Sequence, residues 1–270
     1  MRYLSILCLL FFLASCENKK PELVKASSIK KDTCLVTYVL VVNLPKSKSM
    51  YSNKYFRKAL AYSIDREKLF ENSPADFSVD DYGDMLPGGP ANYGIVQPVF
   101  PEYDIKTIIG YTLNVDSAKC YFKKSQFSLN SNIDFFSGSI GASSDSPTGR
   151  MNTLWYTDFG LTHIQQYILT RATAVSNAFS GEKGIYFLPL VNNYKEPEKY
   201  LSVFYSKNDS INPHTTTRQI AYISPMFDSL YESGLNAFNR VDAIKNFKAA
   251  EQVLIDDAVI IPLWYGKRVY

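Results

Sequence analysis

The sequence predicts a mixed fold, α/β or α+β, for this chain of 270 residues. Residues 37–43 are β-branched and apolar, which is typical of a buried strand. Phe56, Leu60 and Ile64 recur every fourth residue and would form the apolar face of a helix, with Asn53 as its N-cap. Residues 260–265 again have the composition of a strand. Strand and helix patterns are therefore mixed along the chain, and no internal repeat is present.

The remaining elements follow from periodicity and from cap and turn residues. Residues 83–101 are rich in glycine and proline, which predicts an ordered loop or a linker. Ser224 before Pro225 predicts a helix start, because serine caps helices and proline fits their first position. Pro262 favours an edge strand or a strand start. The other predictions are a short helix from Asp116, a strand at 152–156, a helix at 160–169, a strand at 185–191, and a helix at 242–255 with Ile244, Phe247 and Leu254 facing inward.

The amino terminus has the pattern of an export signal. Arg2 precedes an apolar run at 4–14, which is shorter than the roughly 20 residues needed to span a bilayer. The run ends in Leu-Ala-Ser-Cys, which resembles the lipobox of bacterial lipoproteins. This resemblance implies cleavage before Cys16 and attachment of several acyl chains, including palmitate, at that residue. An ordinary signal with a chance cysteine is the alternative.

We therefore predict a signal peptide at 1–15, a lipidated cysteine with a polar tether at 16–36, and a folded body at 37–270. Residues 17–32 carry five lysines against three acidic residues, and the whole chain has a net charge of +3. The body is thus about neutral and has no basic face for nucleic acid, whose binding requires phosphate neutralisation. The tether lysines fit a plain spacer or contact with anionic lipid.

Two cysteines remain in the body once Cys8 in the signal and the lipidated Cys16 are set aside. In an oxidising compartment Cys34 and Cys120 could form a disulfide. Two buried thiols are the alternative.

No constellation in the sequence predicts catalysis, a metal site or a cofactor. His163 and His214 are far apart and have no cysteine or histidine at metal-ligand spacing. The neighbouring carboxylates at 80–81 and 256–257 point apart, so neither pair is an acid/base couple. The second pair instead marks a helix end. The Gly-Ser-Ile-Gly sequence at 138–141 is typical of a flexible turn.

Six segments carry motifs that can be compared with a known family. The most specific is Tyr-Phe-Arg-Lys-Ala-Leu-Ala-Tyr-Ser-Ile-Asp-Arg-Glu-Lys at 55–68. The others are 87–101, 111–119, 196–206 with Glu-Pro-Glu-Lys-Tyr-Leu and Phe-Tyr-Ser, 227–231 with Phe-Asp-Ser-Leu-Tyr, and 251–265 ending in Ile-Pro-Leu-Trp-Tyr. In this order they resemble the solute-binding proteins of peptide ABC transporters, the oligopeptide- and dipeptide-binding proteins of family 5.

The resemblance implies a single lobe of a class II periplasmic-binding-protein-like fold, with a mixed sheet flanked by helices. Members of the family have about twice this length, and their two lobes close on a peptide by hinge motion. This chain matches the second lobe. The implied partners are a short peptide, the transporter permease, the membrane through the lipid anchor, and a second chain if one supplies the missing lobe.

The resemblance also indicates ligand-binding positions. Many members have a Trp-x-x-Asp-Tyr motif whose aspartate holds the α-ammonium group of the peptide. Aligned through Tyr194, the tryptophan position is Leu190 and the aspartate position is Asn193. A charge-assisted hydrogen bond is roughly twice as strong as a neutral one, and a leucine offers less contact area than an indole. These replacements predict weaker binding of a peptide amino terminus.

Two functional hypotheses result. In the first, the chain is a lipid-anchored component of a peptide transporter in the cell envelope, facing the periplasm or the exterior, and binds short peptides for uptake. In the second, it is a structural or interaction lipoprotein, or a degenerate remnant, that has lost ligand binding. Glu17 after the lipidated cysteine does not distinguish the inner from the outer membrane.

Overall fold

A six-stranded sheet forms the centre of the protein in a computed structural model. The structure describes residues 33–44, 49–71, 84–128, 130–137, 146–180, 182–192, 196–207 and 222–269. The strands are β1 (Thr33–Asn43), β2 (Asp84–Pro90), β3 (Ile133–Ser137), β4 (Ile164–Ile168), β5 (Gly184–Asn192) and β6 (Ile260–Val269). The helices are α1 (Lys54–Tyr62), α2 (Arg66–Glu71), α3 (Val115–Ser125), α4 (Pro147–Phe159), α5 (Arg171–Ser180), α6 (Glu198–Leu201), α7 (Pro225–Leu235) and α8 (Arg240–Asp257). Short 3-10 turns occur at Met50–Ser52, Pro101–Tyr103, Ile105–Thr107 and Ser202–Phe204.

The sheet is mixed, with the strand order β2-β6-β1-β5-β3-β4. Strand β1 pairs antiparallel with β5 and β6, and β2 pairs antiparallel with β6. Strand β3 runs parallel to both β4 and β5. The carboxyl ends of β3 to β6 and the first residues of β1 therefore point to one edge of the sheet, here called the carboxyl edge. The predicted fold class, a mixed sheet flanked by helices, is confirmed.

Strand β1 lies in the middle of the core. Val39, Leu40, Val41 and Val42 have no exposed surface, and because successive side chains point to opposite faces, both faces of the sheet are covered here. The predicted buried strand at 37–43 is confirmed, but the strand begins at Thr33. Residues 33–36, which the sequence places in the tether, belong to the sheet.

Local cap signals predicted several helices correctly. The Asn53 side chain accepts hydrogen bonds from the N–H groups of Tyr55 and Phe56, and Ser224 caps α7 with Pro225 at its first position. The predicted helices from Asp116 and at 242–255 correspond to α3 and α8. The residues predicted to face inward are buried: Phe56, Leu60, Ile64, Ile244, Phe247 and Leu254.

The predicted strand at 152–156 and the predicted helix at 160–169 are wrong, because the structure has a helix first and a strand after it. Residues 147–159 form helix α4, and strand β4 follows at 164–168. Ser146 caps the helix with Pro147 at its first position, and Gly160 ends it with a φ of 66°. These start and stop signals outweigh the β-propensity of the aromatic residues between them. The indole of Trp155 is fully buried on this helix and donates to the Ser63 hydroxyl at 2.8 Å.

The glycine- and proline-rich region 83–101 is not only a loop, because β2 occupies its first part. Proline is tolerated there because β2 is at the edge of the sheet. A register shift follows Pro87, and Gly89 has a φ of 122°, which favours glycine. Pro262 lies near the start of β6, before the residues that pair with β2. The strand-start prediction for Pro262 is therefore confirmed, and the edge prediction is wrong because β6 is an interior strand.

The two body cysteines are not joined by a disulfide. Cys34 is buried in β1, whereas Cys120 is exposed on α3. The expectation of two buried thiols is also wrong for Cys120, because it lies on the solvent face of its helix.

Candidate functional site

The carboxyl edge contains the part of the predicted ligand site that the structure describes. Leu190 lies near the end of β5, is 9% exposed and pairs with Thr37 of β1. Asn193 and Tyr194 directly follow this strand but lie outside the described residues, as does Cys16. In open α/β sheets, ligands bind outside the carboxyl ends of the strands. The position of Leu190 agrees with this general rule.

At this edge, the described strands pair with only one side of β5. Strand β3 runs beside the first part of β5 and ends at Ser137, whereas β5 continues to Asn192. Beyond Ser137, no described strand pairs with this side of β5, while its other side stays paired with β1 as far as Asn192. Pro189 lies in the open segment, and proline is found in strands where one side is unpaired. Among the described strands, residues 188–192 therefore have a partner on one side only.

Polar side chains fasten the surrounding segments to this edge. The Gln97 side-chain amide donates to the carbonyls of Val36 and Gly266 at 2.7 and 2.8 Å, which ties it to β1 and β6 together. The Thr37 hydroxyl donates to the Ile95 carbonyl at 2.8 Å. Asn192 donates to the Glu196 carbonyl at 2.8 Å, so the chain after β5 returns to the end of the strand.

A buried carboxylate holds the segment that carries Gln97. Oε1 of Glu251 on α8 accepts the N–H groups of Ile95 and Val96, and Oε2 accepts the Tyr103 hydroxyl at 2.8 Å. Burial raises the pKa of Glu251, while its hydrogen bonds act in the opposite direction. The carboxylate lies so close to Gly94 that an added Cβ would be 2.2 Å from Oε1. A side chain at position 94 is therefore excluded.

A neutral polar network lies where β3 ends and α4 begins. The Gln166 side chain on β4 donates to the hydroxyls of Ser137 and Thr148, and accepts from the Asn152 amide at 2.9 Å. Ser137 and Thr148 are buried, so this network fixes the start of α4 against the parallel strands. The predicted turn at 138–141 lies outside the described residues.

The segments that carry the family resemblance contact one another. In the pair 55–68 and 251–265, the Arg57 Nε donates to the Asp257 carbonyl at 2.9 Å, and the Arg66 Nε donates to the Pro262 carbonyl at 2.6 Å. Burial lowers the pKa of Arg66 to about 10. Asp257 ends α8 and pairs with Lys54 at 2.8 Å, so the predicted role of the 256–257 pair as a helix end is confirmed.

The segments 196–206 and 227–231 meet in the same way. The Ser206 N–H donates to the Asp228 carboxylate at 3.1 Å, and the Ser206 hydroxyl donates to its other oxygen. The Tyr205 hydroxyl donates at 2.6 Å to the carboxylate of Glu232, which lies one helical turn after Asp228 on α7. These motif residues therefore hold neighbouring segments of the fold together.

Sequence reasoning alone did not find Glu251, Gly94 or Gln97 as residues that shape the edge. One signal for Glu251 was available, because it occupies the inward face of α8 between Phe247 and Leu254. A lone acidic residue on an apolar helix face indicates buried hydrogen-bond partners. Nothing in the local sequence indicates the role of Gln97.

Metal-ligating side chains are not clustered in the described residues. No group of three or more histidine, cysteine, aspartate or glutamate side chains there could hold a metal ion. His214 lies outside this part of the chain.

None of the described helices is both long enough and apolar enough to cross a membrane.

Solved structures of peptide-binding proteins share this architecture. A peptide-binding protein of a peptide ABC transporter matches with a TM-score of 0.61 and 18% identity over 86% of this chain and 99% of its own. The chain has a periplasmic-binding-protein-like fold. A dipeptide-binding protein from Pseudoalteromonas sp. SM9913, solved with Met-Leu, matches this lobe with a TM-score of 0.65 and 14% identity over 88% of this chain. A periplasmic oligopeptide-binding protein from Borrelia burgdorferi matches with a TM-score of 0.63 and 18% identity over 93% of it.

The chain spans about half the length of most of these structures. It covers 45% of the Pseudoalteromonas protein and 47% of the Borrelia protein. All three structures are named as binding proteins and none as an enzyme. No protein-family model matches the sequence, and no curated protein matches it significantly.

Proposed function

We propose that this chain is the lipid-anchored, substrate-binding component of a peptide ABC transporter, and that its lobe forms one wall of a site for short peptides. The observation that carries the proposal is that, among the described strands, β5 has a partner on one side only at 188–192, directly before Asn193. An extended peptide can add to such an edge as a further strand, with main-chain hydrogen bonds providing affinity. The fold shared with peptide-binding proteins supports the same conclusion.

Recognition at this wall would rest on neutral contacts. Leu190 is apolar, and Asn193 supplies an amide where a carboxylate would pair with an α-ammonium group. A neutral hydrogen bond is roughly half as strong as a charge-assisted one. The site should therefore discriminate little between peptides with free and blocked amino termini.

A second wall is required to enclose a peptide, because one sheet edge leaves most of an extended ligand in water. In the proposal this wall is a further lobe, supplied by a second chain or by the transporter. The permease receives the peptide, and the lipid at Cys16 keeps the lobe near it in the cell envelope.

Thermal unfolding with and without peptides tests the binding proposal. A ligand that binds only the folded state adds about 2.7 kcal/mol at a hundredfold excess over its dissociation constant. We expect the full chain in neutral detergent to unfold at a higher temperature with a pool of short peptides. The same peptides with N-methylated backbones should have a smaller effect, because methylation removes the N–H donors that strand addition requires. Equal shifts with both pools would contradict strand addition.

A charge substitution tests the position of the amino terminus. Asn193→Asp should strengthen binding of free peptides and leave N-acetylated peptides unchanged, because it restores a carboxylate for the α-ammonium group. Asn130→Asp is the matched control, since it adds the same charge to an exposed residue just before β3, far from the carboxyl edge. An equal gain in affinity for free peptides in both variants would show that the added negative charge acts at long range and not through contact with the α-ammonium group.

The second candidate function is a structural or interaction lipoprotein without ligand. It is favoured by Leu190 and Asn193, which replace the contact residues of the resembled motif. A cooperative unfolding transition that no peptide shifts would support this candidate and refute the first.

The lipid anchor has an independent test. Cells supplied with labelled palmitate should incorporate it into the wild type and not into Cys16→Ser. Cys120→Ser is the matched control and should keep the label, because Cys120 is an exposed cysteine of the body. Label retained in Cys16→Ser would refute the anchor.

A further inference from the structure

A groove of about 670 Å³ lies between the start of α1 and the end of α3. It is found near the ends of the strands opposite the carboxyl edge, because Tyr51, just before α1, accepts the N–H of Asp134 at the start of β3. The groove is separate from the proposed peptide site. Its lining residues are Asn53, Lys54, Tyr55, Lys58, Tyr121, Lys124, Ser125 and Gln126.

Every ionisable group that lines the groove, apart from the tyrosines, is a lysine. Lys54 pairs with Asp257 at 2.8 Å, so its charge is offset. Within the described part of the chain, Lys58 and Lys124 form no ion pair. Their ammonium groups lie instead 5.9 and 5.4 Å from the ring centre of Tyr121. Two positive charges are thus held against one ring without a counter-ion.

The aromatic residues make this arrangement rigid. Tyr121 stacks on Tyr62 with ring centres 5.7 Å apart and on Tyr55 with ring centres 6.1 Å apart. Tyr55 is nearly half exposed and presents its ring to the groove. A single cation gains from the electron-rich face of a ring, but two cations at one ring repel each other. An anion in the groove would remove this repulsion.

We infer that the groove between α1 and α3 is a binding site for a phosphate group. A phosphate monoester carries about −1.5 to −2 charges at pH 7, which matches the two unpaired lysine charges better than a single carboxylate does. Lysine binds phosphate as a compact point charge and needs no fixed fork geometry. The phosphate can come from a soluble phosphorylated compound or from a phospholipid headgroup.

Titration calorimetry of the full chain in neutral detergent tests this inference, with sodium pyrophosphate as the probe. The double variant Lys58→Gln/Lys124→Gln removes both unpaired charges of the groove. Lys119→Gln/Lys123→Gln is the matched control, because it removes the same charge from exposed positions of α3 that do not line the groove. We expect the groove variant to bind pyrophosphate about tenfold or more weakly and the control to change by less than about threefold.

A second titration separates the two sources of phosphate. The same proteins are titrated with phosphatidic acid, whose headgroup is a phosphate monoester, in micelles of the same detergent. The site is assigned to a headgroup if the affinity for the lipid exceeds that for pyrophosphate and is lost in the groove variant. The reverse order assigns it to a soluble compound.

Three results would overturn the inference. The first is no binding of either probe, and the second is an equal loss of affinity in the groove and control variants. The third is binding of a polyglutamate peptide alone, which would indicate that the groove contacts an acidic protein. Thermal unfolding midpoints of all variants exclude misfolding as the cause of a loss.

Discussion

Replacing Glu251 with alanine should lower the free energy of unfolding by about 3–5 kcal/mol. Three buried donors, the N–H groups of Ile95 and Val96 and the hydroxyl of Tyr103, lose their acceptor. Each unsatisfied buried donor costs about 1–3 kcal/mol, and water in the new cavity offsets part of this cost. Glu251→Gln keeps one acceptor oxygen and can donate to the Tyr103 oxygen, so we expect a cost of about 1 kcal/mol.

The glutamine variant also has a predicted pH dependence. Burial raises the pKa of Glu251 above its usual value of 4.5, so the folded state favours the protonated form. The stability contributed by this proton is complete below the unfolded pKa and is lost as the pH rises through the higher folded pKa. Glutamine carries no such proton. The stability of Glu251→Gln relative to the wild type should therefore rise as the pH increases from the unfolded pKa of the Glu251 carboxyl through its higher folded pKa.

Urea unfolding followed by tryptophan fluorescence measures both effects. Gln252→Ala, one residue further along α8, is the control and should show no pH dependence, because Gln252 does not titrate. A relative stability of Glu251→Gln that fell with rising pH would refute the reasoning. It would mean that the three hydrogen-bond donors lower the pKa of Glu251 by more than burial raises it.

Three further predictions concern the fold around the site. Gly94→Ala should destabilise the protein by about 2 kcal/mol or more, and less when combined with Glu251→Ala, as a double-mutant cycle of unfolding would show; additive costs would contradict the close contact. Asp228→Asn should cost about 1–2 kcal/mol in urea unfolding, because the carboxylate that accepts a backbone N–H and a serine hydroxyl becomes an amide; an unchanged midpoint would count against these bonds. A thiol reagent should modify Cys120 in the native protein and Cys34 only after unfolding, as peptide mass mapping would show; early reaction at Cys34 would contradict its burial.

Elements defined by neighbouring residues could be predicted from the sequence. Helix α7 follows from Ser224 and Pro225, and strand β1 from an unbroken apolar run, because these signals act over a few residues. Residues 152–156 were predicted as a strand but lie within helix α4. The cap at Ser146 and the stop at Gly160 decided the outcome, and both are local signals that could have been weighed more heavily.

The shape of the candidate site depends on contacts between distant residues and could not be predicted in this way. Glu251 binds residues 95 and 96, far away in the sequence, and only the fold brings them together. Within the described residues, β3 pairs with only the first part of β5, which is a property of the register between segments distant in the sequence. Leu190 was found through a motif resemblance, and the pairing of β5 with β1 supplies its position in the sheet.

The order of the strands has a consequence for how the chain is made. Strand β1 is synthesised before all other strands, yet its two partners, β5 and β6, begin at residues 184 and 260. At about 5–20 residues per second, more than 200 residues of synthesis leave this apolar strand without its second partner for about 10–40 seconds. An unpaired apolar strand is prone to pair with other chains. We therefore expect the nascent chain to be prone to association with other chains until its last strand is made.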